Sequence, residues 1–231
     1  SYDQLPEVEG GARSGWHVFG AGYQVNDYRG SGIPMDPPKV RVDRLIEHVA
    51  VLKGLFADGE FNFEGEHYRV EGLDGTPAPC RPGGPPIFIA GGGKRMLRFA
   101  ARNADIIGVN PSLANSKDRA KSYEDAVAER IDGKFALIRE AAGPRYDDLI
   151  FHGWLKWAQI TDEPQRLAEA IGAELGADPA VLLETPFILI GSAEEIADRV
   201  RERYERWGYS YYTLQQPAAL DFVPVLELLA R

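Results

Sequence analysis

Cysteine is nearly absent: Cys80 is the only one in 231 residues. That excludes an intrachain disulfide, a thiolate zinc site and a CxxC redox pair, and it fits a reducing compartment. Long apolar runs are missing too, as are the basic start and apolar stretch of a secretory signal, so the reading is a cytoplasmic protein with no membrane partner. Positive charge is scarce. The 26 basic residues face 35 acidic ones for a net charge of −9, and no run of Lys and Arg interleaved with aromatics offsets this, which argues against nucleic acid. The four histidines, His17, His48, His67 and His152, lack metal-ligand spacing, so no metal is expected. The sequence also lacks an initiator methionine, which suggests a processed or incomplete end.

What is present suits one α/β domain, since 44% of the residues are hydrophobic. Residues 16–22 read as a strand ending in glycine. Behind it, Val42, Leu45, Ile46, Val49, Leu52 and Phe56 mark an amphipathic helix. Phe61, Phe63, Tyr68 and Val70 flank a Glu64-Gly65 turn, giving a hairpin and then a Pro/Gly-rich loop, an excursion over about 58–86. Further strands are expected at 87–90, 104–109 and 149–160, with helices at 94–103, 119–142 and 163–175. Phe187–Ile190 is a short apolar run, Ser192-Ala-Glu-Glu195 a capping box opening a helix through Trp207, and 209–214 the last strand.

The most informative stretch is 85–110. Ile87-Phe-Ile89 is a buried strand and Gly91-Gly-Gly93 a turn without Cβ atoms. Met96, Leu97, Phe99 and Ala100 then recur at helical spacing. A helix start behind a glycine turn directs free N–H groups at a ligand, and Lys94 and Arg95 add positive charge, a geometry suited to phosphate. A βα turn that uses glycine only to reverse direction would look the same.

Strands separated by helices imply a parallel sheet, either doubly wound or closed as a (β/α)8 barrel, and periodicity alone leaves both open. Gly20-Ala-Gly-Tyr-Gln-Val-Asn-Asp-Tyr28, Gly32-Ile-Pro-Met-Asp-Pro-Pro38, Arg41-Val-Asp-Arg-Leu-Ile-Glu47, Phe63-Glu-Gly-Glu-His-Tyr68, Ile89-Ala-Gly-Gly-Gly93 and Phe99-Ala-Ala-Arg-Asn-Ala-Asp105 follow one another in order. This series resembles the luciferase-like monooxygenase family over roughly 16–231. The end of the chain, Gly208-Tyr-Ser-Tyr-Tyr212 and the helix over 222–229, is most similar to its branch of F420-dependent oxidoreductases.

The resemblance implies a single TIM-type barrel domain over 1–231, with 16–22, 87–90, 104–109, 149–160 and 209–214 as barrel strands four to eight and the first three strands absent. It implies hydride transfer between F420 and a small organic substrate. A flavin mononucleotide (FMN) monooxygenase and a non-catalytic flavin-binding relative are the alternatives. It places the cofactor against Gly20, Ala21, Gly22, Asn26, Ala90, Gly91, Gly92, Gly93 and Arg95. Asn26 matches an asparagine that contacts the deazaflavin in sugar-phosphate dehydrogenases of the family, whereas Tyr23 stands where those enzymes carry an acidic general acid. No catalytic residue is assigned. Trp154 and Trp157, bracketing Lys156 on one strand, read as pocket wall or packing, and only one of Tyr211 and Tyr212 can face a site. Five strands leave a barrel open, so the expectation is a chain longer at its N-terminus or an opening covered by a second copy in a homodimer.

Overall fold

A computed structural model describes residues 17–112, 123–214 and 221–231. Its centre is a five-stranded parallel sheet. In chain order the elements are β1 (His17–Phe19), α1 (Val25–Ser31), α2 (Pro38–Leu55), the antiparallel hairpin β2 (Glu60–Glu64) and β3 (Arg69–Asp74), β4 (Ile87–Gly91), α3 (Lys94–Asn103) and β5 (Ile106–Val109). Then follow α4 (Ala128–Ala142), a 3-10 turn (Gly143–Asp148), β6 (Ile150–Leu155), β7 (Trp157–Ile160), α5 (Pro164–Leu175), α6 (Pro179–Glu184), β8 (Ile188–Gly191), α7 (Ala193–Trp207), β9 (Tyr209–Leu214) and α8 (Val223–Leu229).

The sheet order β1-β4-β5-β6-β9 is the order of the five expected barrel strands, and every pairing is parallel. β1, β4, β5 and β9 are each followed in the chain by a helix, the (β/α) rhythm of a TIM-type barrel, whereas β6 runs on into β7, and the described strands do not close. Register and alternation separate the two faces. Ile87, Ile89, Ile107, Val109, Phe151 and Tyr209 join the core beneath α2, α3 and α4. Val18, Phe88, Ile106 and Ile150 share one register row on the inner face, and Ala90, Gly108, His152 and Tyr211 share the next row toward the strands' C-terminal ends. The inner face is open at β1, where Val18 is 58% exposed.

Three sequence expectations need correction. The 16–22 strand ends at Phe19, and Gly20 to Gln24 form the loop into α1; Trp16 lies outside the described residues. The expected 119–142 helix is interrupted: Tyr123 and Glu124 are helical, the chain turns over 125–127, where Val127 is extended, and α4 begins at Ala128; residues 119–122 are outside the described set. The 149–160 strand is two strands. At Lys156 the chain leaves β9, Lys156 N–H donates to the Phe187 carbonyl at 2.8 Å, and β7 pairs with β8 in a separate two-stranded sheet. Trp154 and Trp157 therefore belong to different strands.

The capping box at α7 forms as expected. Glu195 N–H donates to Ser192 Oγ at 3.2 Å, and Ser192 N–H donates to the Glu195 carboxylate at 2.8 Å. Ser192→Ala is expected to cost about 1 kcal/mol, read as a small drop in the urea midpoint with an unchanged slope.

Candidate cofactor site

The C-terminal ends of β4 and β5 are built from residues that keep side chains out of the way. Ala90 and Gly108 face each other on the inner side, and Gly20, one step beyond the paired part of β1, continues that row; a Cβ there would meet only the Ala90 carbonyl, at 3.8 Å. Chain direction is then reversed by Gly91 to Gly93. Gly93 is the N-cap of α3 with φ −82° and ψ 146°, and among the described residues no side chain caps the helix, so there its first N–H groups keep their donor capacity.

The three glycines serve different ends. A Cβ on Gly92 would run into the backbone oxygens of Asn110 and Pro111, and one on Gly91 into Met96; a Cβ on Gly93 would meet nothing within 4 Å. Gly92 is thus a packing requirement, and Gly93 is the position where an absent side chain leaves open space.

The turn is fixed from behind. Asn110 N–H donates to the Gly91 carbonyl at 3.0 Å, and the Asn110 carbonyl accepts from Lys134 Nζ at 2.7 Å. Lys134 is buried and also bonds Asp125, whose carboxylate accepts from Ser112 N–H at 2.6 Å. Burial pulls the Lys134 pKa below the usual lysine range, and Asp125 opposes that shift. By alternation Asn110 follows Gly108 on the inner side, and its amide oxygen is buried with no hydrogen-bond partner among the described residues. A ligand hydroxyl or N–H would satisfy it. Sequence reading overlooked Lys134, although Ile131, Lys134, Phe135 and Ile138 place a cation within the apolar stripe of a helix.

The remaining candidates are dispersed. Arg95 is paired with Asp43 of α2, so its charge is already compensated. Gly22 has φ +71° and sits against Tyr28, a turn only glycine makes without strain. Ala21 is held through its carbonyl by Arg41 Nη1 at 3.1 Å. Asn26 lies exposed on α1 and Tyr23 is 39% exposed just before it; among the described residues neither has a hydrogen bond to the glycine turn.

The histidines resolve differently. His17 stacks near Phe56 and His48 packs edge-on to Phe19, both on the outer side, while His67 belongs to the hairpin turn. His152 faces inward, between the rings of Phe88 and Tyr211 at 4.8 and 4.9 Å, with Nε2 2.9 Å from Thr213 Oγ1. Burial lowers its pKa to about 4, so the imidazole is neutral at pH 7. Tyr211 is the inward tyrosine, and Tyr212 packs against the outer core. No group of metal-ligating residues is found among the described residues.

A parallel sheet with a glycine-lined C-terminal rim is shared by several fold families, and comparison with known proteins separates them. The model of the luciferase-like monooxygenase family matches residues 15–211. The chain belongs to that family. Among curated luciferase-like relatives, an F420-dependent glucose-6-phosphate dehydrogenase of Mycobacterium tuberculosis is 26% identical over 78% of this chain and 56% of its own length. The pyrimidine monooxygenase RutA of Allorhizobium ampelinum is 28% identical, over 78% and 55%. The chain thus spans a little over half the length of these relatives. A solved luciferase-like structure, an F420-dependent secondary alcohol dehydrogenase in complex with an F420-acetone adduct, superposes with a TM-score of 0.61 at 18% identity, covering 85% of this chain and 62% of its own, and shares the fold. The relatives thus include F420-dependent dehydrogenases and a monooxygenase. No helix among the described residues is long and apolar enough to cross a membrane.

Proposed function

We propose that this protein binds coenzyme F420 at the C-terminal rim of its sheet and exchanges hydride with a small organic substrate. The observation that carries the reading is the uncapped start of α3 behind an open Gly93, beside an inner face stripped to Gly20, Ala90 and Gly108. The curated F420-dependent relative supports the choice of cofactor. In this reading the N–H groups of the turn hold the cofactor phosphate, and Asn110 offers its buried amide oxygen to a neighbouring hydroxyl. The small residues let the cofactor ring lie close to backbone, and His152, neutral and held by Thr213, shapes the inner wall without carrying charge. F420, when bound, supplies a two-electron carrier, and the chain positions and protects it.

A second reading keeps the site and changes the cofactor to FMN. It is supported by the pyrimidine monooxygenase relative, which is not named for F420, and the same turn would serve the phosphate of either molecule. Titration with F420 and with FMN, followed by cofactor fluorescence, separates the two. F420 is expected to bind saturably, and Gly93→Val is expected to weaken it about tenfold or more while thermal unfolding stays nearly unchanged, because the added side chain meets no protein atom. Binding of FMN alone would select the second reading. Binding of neither would reject both and leave a non-catalytic relative.

A further inference from the structure

The outer side of β1 carries a cavity of about 300 Å³, bounded by the loop after β1, α1, one face of α2 and the hairpin. That volume is at the small end of ligand pockets. Its wall includes Phe19, Tyr28, Arg41, Arg44, His48 and Tyr68, with Gly20 to Gly22, and among the described residues no carboxylate lines it.

The charge balance there differs from that of the whole chain, whose net charge is −9. Arg41 donates only to neutral carbonyls: Nε to Asp36 at 2.9 Å, and Nη1 to Ala21 at 3.1 Å and to Gly22. No carboxylate among the described residues pairs with it, so its geometry is fixed while its full positive charge remains. Arg44 is partly compensated by the Asp36 carboxylate, 2.6 Å away, which reaches it from outside the cavity lining. His48 is held toward the neutral form by burial and adds a polar edge without charge. A half-enclosed space with a preorganised guanidinium and no opposing carboxylate attracts anions more strongly than an exposed arginine does.

We propose that this cavity is a binding site for a small oxyanion, a carboxylate or phosphate group on a compact molecule, with Arg41 as the fixed charge, Arg44 as the second donor, and the Tyr28 and Tyr68 side chains as walls. The site is distinct from the glycine turn. Residues 91–93 do not line it, and neither does Arg95, which is paired with Asp43. The cavity shares Gly20 with the rim of the proposed cofactor site, and the Gly93→Val arm of the test below tells the two apart.

Calorimetric titration of the full chain with sodium benzoate, and separately with inorganic phosphate at low ionic strength, tests it. Saturable one-to-one binding of at least one probe is expected; benzoate alone would identify an aromatic carboxylate as the ligand class, and phosphate alone a phosphoryl group. Arg41→Gln and Arg44→Gln should each weaken binding about tenfold, the effect of losing a charge-assisted contact. Asp36→Asn, which releases Arg44 from its carboxylate, should tighten binding several-fold, an outcome that a purely structural role for Asp36 does not produce. Absence of binding by both probes, indifference to both arginine substitutions, or weaker binding in Asp36→Asn would overturn the proposal. Loss of probe binding in Gly93→Val would place the anion in the glycine turn and overturn it equally.

Discussion

Arg203→Ala is expected to destabilise the protein by about 3–5 kcal/mol, the cost of stranding buried polar groups. Arg203 is 3% exposed. It sits on α7 and donates to three backbone carbonyls at the entry to β8: Thr185 at 2.7 Å, Ile188 at 3.0 Å and Pro186 at 3.3 Å. Burial lowers its pKa to about 10, so it remains charged at neutral pH. Alanine would leave those carbonyls without donors and open a void the length of an arginine stem. In a domain of this size, that corresponds to a fall in Tm of about 6–20 °C. Arg203→Lys should recover only part of it, since one ammonium cannot span three carbonyls in the plane of a guanidinium. Calorimetric melting of the three proteins checks this, and an alanine variant that melts with the parent would show that the carbonyls find other donors.

The second large effect is a loss of stability in acid traceable to His152. Its pKa is depressed in the folded protein, to about 4 against an ordinary 6.5. Above pH 6.5 neither state holds the proton and the residue contributes nothing to the pH dependence. As pH falls from 6.5 toward 4 the unfolded chain takes up a proton that the native inner face refuses. Stability drops through this window and levels off below it, by about 3 kcal/mol in total. Urea unfolding at stepped pH values should show the decline, and subtraction of the same series for His152→Gln isolates it from the carboxylates. Asp43 and Asp132, whose pKa values are lowered by Arg95 and Arg206, remain in both proteins. If the two series fall in parallel between pH 6.5 and 4, another group is responsible.

The elements legible in the sequence were those set by local chemistry. α3 and α7 begin where expected, at the glycine turn and at the Ser192 capping box, because a helix start depends on a few adjacent residues. The hairpin is likewise local, although its turn is fixed from a distance by Glu47, which accepts three N–H groups from Glu66, His67 and Tyr68. The two buried cations were missed because a lysine or arginine reads as surface. In both helices the clue was a charged residue in phase with the apolar stripe, Lys134 between Ile131 and Ile138, and Arg203 between Ile196 and Trp207.

By itself, then, the sequence determined the βα alternation, the position of the glycine turn and the family, since these rest on periodicity, on residues that tolerate particular backbone angles, and on an ordered series of motifs. Only the tertiary structure decided where a continuous run of strand residues divides. The break at Lys156 arises because Phe187, distant in sequence, offers a carbonyl that draws the chain away from β9. Tertiary packing also decided which glycine has a backbone against it and which faces open space, and which arginine found a carboxylate. Gly92 and Gly93 are identical to the local chain, as Arg41 and Arg44 nearly are. What distinguishes them are partners brought by other elements: the carbonyls of Asn110 and Pro111 for one glycine, and the Asp36 carboxylate for one arginine.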